Sequence, residues 1–212
     1  MISLEKLNYL PYFTLQAVNQ LTGGSMASTR LLLSRLGKAG KVIRLKRGCY
    51  MSREFWLQNK NDENFIALVS AIIQPHSYLT GAWMLQKYGV MTEGIYAVTA
   101  ATLKHTRSIS NKLAGFYYFH IKEKLFNGFT ETSFSGIVCR QATAAKALFD
   151  YFYFKPEHPA IRDKNFDLAE DERLNLEEWD KKMKAEFFRL AERSGSPKMK
   201  RIAINLQRKI WA

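Results

Sequence analysis

Near the N-terminus the spacing of apolar residues changes from a helical to an alternating period, and glycines stand at each change. Thr14 is placed to cap a short helix over residues 15–21, which Gly23-Gly24 ends. Ser25 then caps a second helix over residues 26–39, with Gly40 just past its end. Met26, Thr29, Leu33 and Leu36 fall at i, i+3, i+7 and i+10, the spacing of a buried stripe. At about 100° per residue, the opposite face presents Ala27, Leu31, Ser34 and Lys38, flanked by Ser28, Arg30 and Arg35. After Gly40 residues 41–45 read as a strand, Lys46-Arg47-Gly48 as a tight turn, and Cys49-Tyr50-Met51 as the return strand. Gly48 supplies the positive φ that such a turn often requires. Two short helices joined by a glycine turn and followed by a basic hairpin predict a winged helix-turn-helix over residues 1–57.

A helix of this size enters the DNA major groove, where short hydroxyls and arginines read base edges. The expected contacts on the helix are Ser25, Ser28, Arg30, Leu31, Ser34, Arg35 and Lys38. Leu31, the apolar member, suits a thymine methyl. On the hairpin they are Lys41, Arg44, Lys46 and Arg47, lying along phosphates or in the minor groove. The same charges also fit two plainer roles, solvation of a small helical domain or a protein contact through the wing.

The distribution of charge bears on that choice. The chain of 212 residues holds 32 Lys and Arg against 19 Asp and Glu, a net +13. Residues 1–55 carry +7, residues 56–160 carry +3, residues 161–180 carry −5 and residues 181–212 carry +8. With 47% apolar residues the chain can build a packed core. Two cysteines, Cys49 and Cys139, make neither a disulfide framework nor a zinc knuckle and suit a reducing compartment. The start, Met1-Ile2-Ser3-Leu4-Glu5, lacks a signal-peptide pattern. The longest uncharged stretch, residues 64–86, is broken by Gln74-Pro75-His76-Ser77, whereas a membrane span needs roughly 20 apolar residues. The expectation is a cytoplasmic protein that makes no membrane contact.

The polar run Asn59-Lys60-Asn61-Asp62-Glu63-Asn64 marks an expected boundary, with a second domain over residues 58–212. There Phe65, Leu68, Val69 and Ile72 space as a helix ended by Pro75, and residues 80–88 as another stopped by Gly89. Residues 95–100, 115–121 and 136–140 read as strands, and Ala145, Leu148, Phe149 and Phe152 as a helix face. The loose alternation predicts an α+β class. Leu176, Trp179, Met183, Phe187 and Leu190 space as one apolar helix face, and Ile202, Leu206 and Ile210 as a last amphipathic helix. The basic tail around them fits a solvated surface, an extension of a DNA footprint, or contact with an acidic partner.

Catalytic patterns are sparse. His76, His105, His120 and His158 have no i, i+4 pairing and no cysteine at ligand spacing. Gly23-Gly24-Ser25 resembles the Gly-Ser of nucleotidyltransferases, but the first following aspartate is Asp62. Asp180-Lys181-Lys182 matches a nuclease Asp-x-Lys within a charge-dense run expected to be helical. No Walker A or dinucleotide fingerprint occurs. Of Phe116-Tyr117-Tyr118-Phe119, two side chains are expected in the core by strand alternation. The expectation is a non-enzymatic protein with no cofactor.

Phe13-Thr14-Leu15, Leu33-Ser34-Arg35-Leu36, Gly40, Ile43-Arg44-Leu45 and Arg47-Gly48-Cys49-Tyr50 resemble the N-terminal winged helix of AbiE-type antitoxins, from abortive-infection, type IV toxin–antitoxin systems. Ser77-Tyr78-Leu79-Thr80-Gly81-Ala82 through Tyr88-Gly89-Val90 resembles the segment after that family's wing, and Ile95-Tyr96-Ala97-Val98-Thr99 its next strand. Ala142-Thr143-Ala144-Ala145-Lys146-Ala147-Leu148-Phe149-Asp150 resembles its later Ala-Leu-Asp helix, with Ala145 where the family pattern has an acidic residue. The likeness runs over residues 10–155 in family order and does not reach the tail after Asp163. It implies an antitoxin that represses its own operon by binding promoter repeats, with a nucleotidyltransferase-like toxin encoded alongside. The residues alone leave open a stand-alone winged-helix regulator with a ligand-sensing or dimerisation domain, and a DNA-processing enzyme, which needs a metal site.

Overall fold

A computed structural model of the protein describes residues 4–211. A 3-10 turn over Leu4–Tyr9 leads into strand β1 (Phe13–Thr14) and helices α1 (Leu15–Thr22) and α2 (Met26–Lys38). The Thr14 hydroxyl accepts the Ala17 amide at 3.1 Å, and Gly23 closes α1 at φ 64°. The Ser25 hydroxyl accepts the Ser28 amide at 3.1 Å and so caps α2. The two helices are tied at their turn by Asn19, whose amide donates to the Gly24 carbonyl at 2.7 Å and the Thr29 hydroxyl at 2.9 Å. Thr29 and Leu33 are buried, and Met26 and Leu36 pack beside them on a small cluster of Leu7, Phe13, Leu15, Val18 and Val42.

Strands β2 (Val42–Lys46) and β3 (Cys49–Ser52) form the hairpin around Arg47-Gly48, with Gly48 at φ 74° and a bulge between Arg44 and Lys46. β1 lies on the other edge of β3, so this sheet has the order β1-β3-β2. The hairpin buries apolar side chains on both faces. Val42 and Tyr50 face the small cluster, while Ile43, Leu45, Cys49 and Met51 belong to the main core of the molecule. The expected boundary at residue 57 is therefore crossed by continuous apolar packing. Helix α3 (Arg53–Asn59), which no pattern marked, begins where the Ser52 hydroxyl accepts the Phe55 amide at 3.0 Å.

The rest is α+β. Helix α4 (Phe65–Ile73) is followed by β4 (Ser77–Leu79), α5 (Gly81–Lys87), β5 (Ala97–Thr102), β6 (Arg107–Ser110), β7 (Gly115–His120), β8 (Phe129–Phe134) and β9 (Ile137–Ala142). These strands make one mixed sheet in the order β6-β7-β5-β4-β9-β8, parallel at β5/β7 and β4/β9. Helices α6 (Ala144–Phe154), α7 (Leu168–Asp171), α8 (Lys181–Ser194) and α9 (Pro197–Lys209) complete the chain. α6 packs on α5, α8 and α9. Phe116 and Tyr118 are buried and Tyr117 is exposed, as alternation requires.

Two expectations are corrected. Strands β4, β6 and β8 had no counterpart in the reading of the sequence. The apolar series from Leu176 to Leu190 is not one helix, because the Asp180 carboxylate accepts the Met183 amide at 2.7 Å and starts α8 at Lys181. Leu176 and Trp179 are buried ahead of that cap, with Trp179 stacked on Trp211 at 5.7 Å. Asp180 is therefore a capping residue.

Candidate nucleic-acid interface

The helix pair and the hairpin enclose an open groove of about 980 Å³ on the surface of the molecule. α2 contributes Arg30, Ser34 and Lys38 to its lining, and the hairpin contributes Arg44 and Arg47. A fifth cation, Lys112, comes from the turn between β6 and β7, with its neighbour Asn111. None of the lining residues is acidic. Cations crowded without carboxylates repel one another, so such a groove favours a polyanion or a dense layer of counter-ions. Arg30, Ser34, Lys38, Arg44, Arg47 and Lys112 are all exposed.

The other expected contacts lie elsewhere. Ser25 and Ser28 are exposed at the start of α2, but their hydroxyls already serve the cap, with Ser28 donating to the Ser25 carbonyl at 2.8 Å. Leu31 is 52% exposed on α2, and Arg35 is exposed on the same helix outside the groove. Lys41 faces a separate 260 Å³ cavity that also contains Glu5 and Glu54.

Lys46 departs most from expectation. Its ammonium donates to the Ile72 and Ile73 carbonyls at 3.1 and 2.8 Å. Those carbonyls end α4, where a helix leaves acceptors unpaired and carries partial negative charge. Burial lowers the Lys46 pKa; Cys49 opposes that shift, while Arg107 and Lys104 add to it. Lys46 thus joins the hairpin to the end of α4 instead of pointing along its surface.

Beside the hairpin lies a second cleft, of about 450 Å³, lined by Arg44, Lys46, Arg47 and, from β6, Arg107, Ile109 and Ser110. Reasoning from the sequence missed Arg107, Asn111 and Lys112. A signal was present: residues 94–122 contain Lys104, Arg107, Lys112 and Lys122 and no Asp or Glu, a run hidden inside a long segment, residues 56–160, whose net charge is only +3.

The other polar concentration is buried. The Lys146 ammonium donates to Asp150 at 2.6 Å, and both side chains are fully buried. The Tyr78 and Thr80 hydroxyls donate to the second carboxylate oxygen at 2.9 and 2.8 Å. Burial pushes Asp150 up and Lys146 down, against the pull of the pair on each other. With every carboxylate oxygen occupied, the cluster fastens α6 to β4. Cys49 and Cys139 are buried free thiols, and burial raises both pKa values. Among the described residues no three His, Cys, Asp or Glu side chains converge as a metal site would. Nor is any helix among them long and apolar enough to cross a membrane.

No family model matches the chain, and no curated protein matches its sequence significantly.

Proposed function

We propose that residues 1–57 form a winged helix-turn-helix that binds duplex DNA, with α2 in the major groove and Arg44 and Arg47 on phosphates. The observation that carries this reading is the groove between α2 and the hairpin, lined by five exposed cations and no carboxylate. α2 has 13 residues, a rod of about 20 Å, and a B-DNA major groove about 12 Å wide admits such a helix. Arg30 and Ser34 on its exposed face are the base-reading pair.

Residues 58–212 act as the effector part, and the chain is an antitoxin of the AbiE type that represses its own operon and counteracts a nucleotidyltransferase-like toxin. Its role is binding, not catalysis. The support for this finer reading is the ordered resemblance over residues 10–155. A second reading, a stand-alone regulator with a sensing or dimerisation domain, is favoured by a 940 Å³ groove between α8 and α9 lined by Phe188, Pro197 and Ile204.

Binding-site selection with the full chain tests the DNA reading: wild type enriches a defined sequence, and Arg30→Ala with Ser34→Ala relaxes it. Unchanged enrichment would refute the assignment of α2. Co-expression with the neighbouring gene separates the two effector readings. Restored growth supports the antitoxin, and unrelieved toxicity or a harmless neighbour supports the regulator.

A further inference from the structure

We infer that the DNA footprint continues past the hairpin onto the edge of the six-stranded sheet, where Arg107 and Lys112 bind phosphates of the same duplex. This deepens the reading just proposed and rests on it.

The first argument is adjacency. Arg44 and Arg47 belong to both basic clefts, one shared with Lys112 and the other with Arg107. The tip of the hairpin is therefore flanked by cations from a different sheet, and no residue lining either cleft is acidic. Among the described residues, none of Arg30, Lys38, Arg44, Arg47, Arg107 and Lys112 makes an ion pair.

The second is rigidity. The Asn111 amide donates to the Leu45 carbonyl of β2 at 3.1 Å, while its side-chain oxygen accepts the Leu113 amide at 2.8 Å. That pins the β6–β7 turn to the hairpin. Lys46 holds the hairpin to α4, and Ile43, Leu45, Cys49 and Met51 sit in the main core. The hairpin cannot swing without breaking these contacts, so its cations and those of β6–β7 meet a ligand as one preset surface. Lys46 and Asn111 are positioning residues for that surface.

The third is the character of β6. It is an outer strand, and Arg107, Ser108 and Ser110 are exposed along it. A cation on an outer strand also discourages edge-to-edge pairing, a role indifferent to DNA, and the experiment separates the two. Phosphates repeated along a rigid duplex suit separated cations on one fixed surface.

The probe is a mixed-sequence DNA duplex of about 30 base pairs, three helical turns, titrated with the full-length protein over a range of salt. Each neutralised phosphate contributes about 0.9 to the slope of log K against log salt. Arg107→Ala and Lys112→Ala each lower the slope by about that amount, and the double variant weakens binding roughly ten- to thirty-fold at physiological salt. Arg107→Lys with Lys112→Arg keeps the full slope. Both positions are exposed, so circular dichroism and melting temperature stay at wild-type values. If Arg47→Ala lowers the slope but the double alanine variant does not, the extension is wrong and the winged-helix reading stands. If neither changes the slope, both fall. Loss in the charge-keeping variant equal to the alanine loss, or equal affinity for duplex RNA of the same sequence, also overturns the inference.

Discussion

Residues 1–55 carry a net +7 and residues 181–212 a net +8, yet the side chains behind those sums sit in different surroundings. In the first region Arg30, Lys38, Arg44 and Arg47 line one open groove. In the second, several cations are committed within the fold. Lys198 donates to the Tyr153 and Lys155 carbonyls at 2.8 and 2.7 Å, closing the end of α6. Arg201 holds Glu157, and Lys209 donates to the Asn165 carbonyl at 3.0 Å. Lys184 lies over the Trp211 ring at 5.9 Å. Counting charge along a sequence cannot separate a free cation from one that terminates a helix. Lys46 makes the same point inside the N-terminal region, since it behaves like the tail.

That contrast can be broken by substitution, starting with the most committed cation. Lys146→Met strands a fully buried Asp150 carboxylate, and loss of one partner of a buried pair costs about 3–5 kcal/mol. Denaturant unfolding reads it, and a loss below about 1 kcal/mol would show that Asp150 does not depend on Lys146 as its buried counter-charge. Next come Lys46→Met and Lys198→Met, each removing two hydrogen bonds from a charged donor to carbonyls near a helix end, with an expected loss of about 1.5–3 kcal/mol. Lys198→Met also leaves the DNA salt slope unchanged; a lowered slope would move the tail into the footprint.

Arg47→Ala is the opposite case. Stability stays within about 0.5 kcal/mol, while the salt slope falls by about 0.9. A shifted melting temperature with an unchanged slope would place Arg47 among the committed cations. The smallest effect belongs to Glu157. Its hydrogen bond with Arg201 holds its carboxyl below the ordinary 4.5, so the pair's contribution is present above that pH and lost as pH falls through the lowered value. The difference in melting temperature between wild type and Glu157→Gln should close on acidification. A difference that persists in strong acid would mean that the contact does not depend on charge.

The elements legible in the sequence are those written by neighbours in the chain. Thr14, Gly23, Ser25, Gly40 and Gly48 each act within a few residues, and with them came α1, α2 and the hairpin. β4 went unread because its three residues, Ser77, Tyr78 and Leu79, are buried on both faces and show no alternation. β8 is the opposite, a largely exposed outer strand without an apolar stripe. α3 starts directly on the last residue of a strand, so no loop residue announces it. Asp180 divides an apolar series that by spacing alone reads as continuous.

The candidate site divides along the same line. The sequence by itself determined that a short helix bearing Arg30, Ser34 and Lys38 stands beside a hairpin bearing Arg44 and Arg47, because caps, glycines and hydrophobic period act locally. Only the tertiary structure decided which cations share a surface. It withdrew Lys46 to carbonyls 26 and 27 residues away, turned Lys41 toward a cavity shared with Glu5 and Glu54, and brought Arg107 and Lys112 alongside the hairpin. The physical reason is that a side chain's free charge depends on which backbone acceptors and carboxylates the fold brings within reach, and most of those partners are distant in sequence.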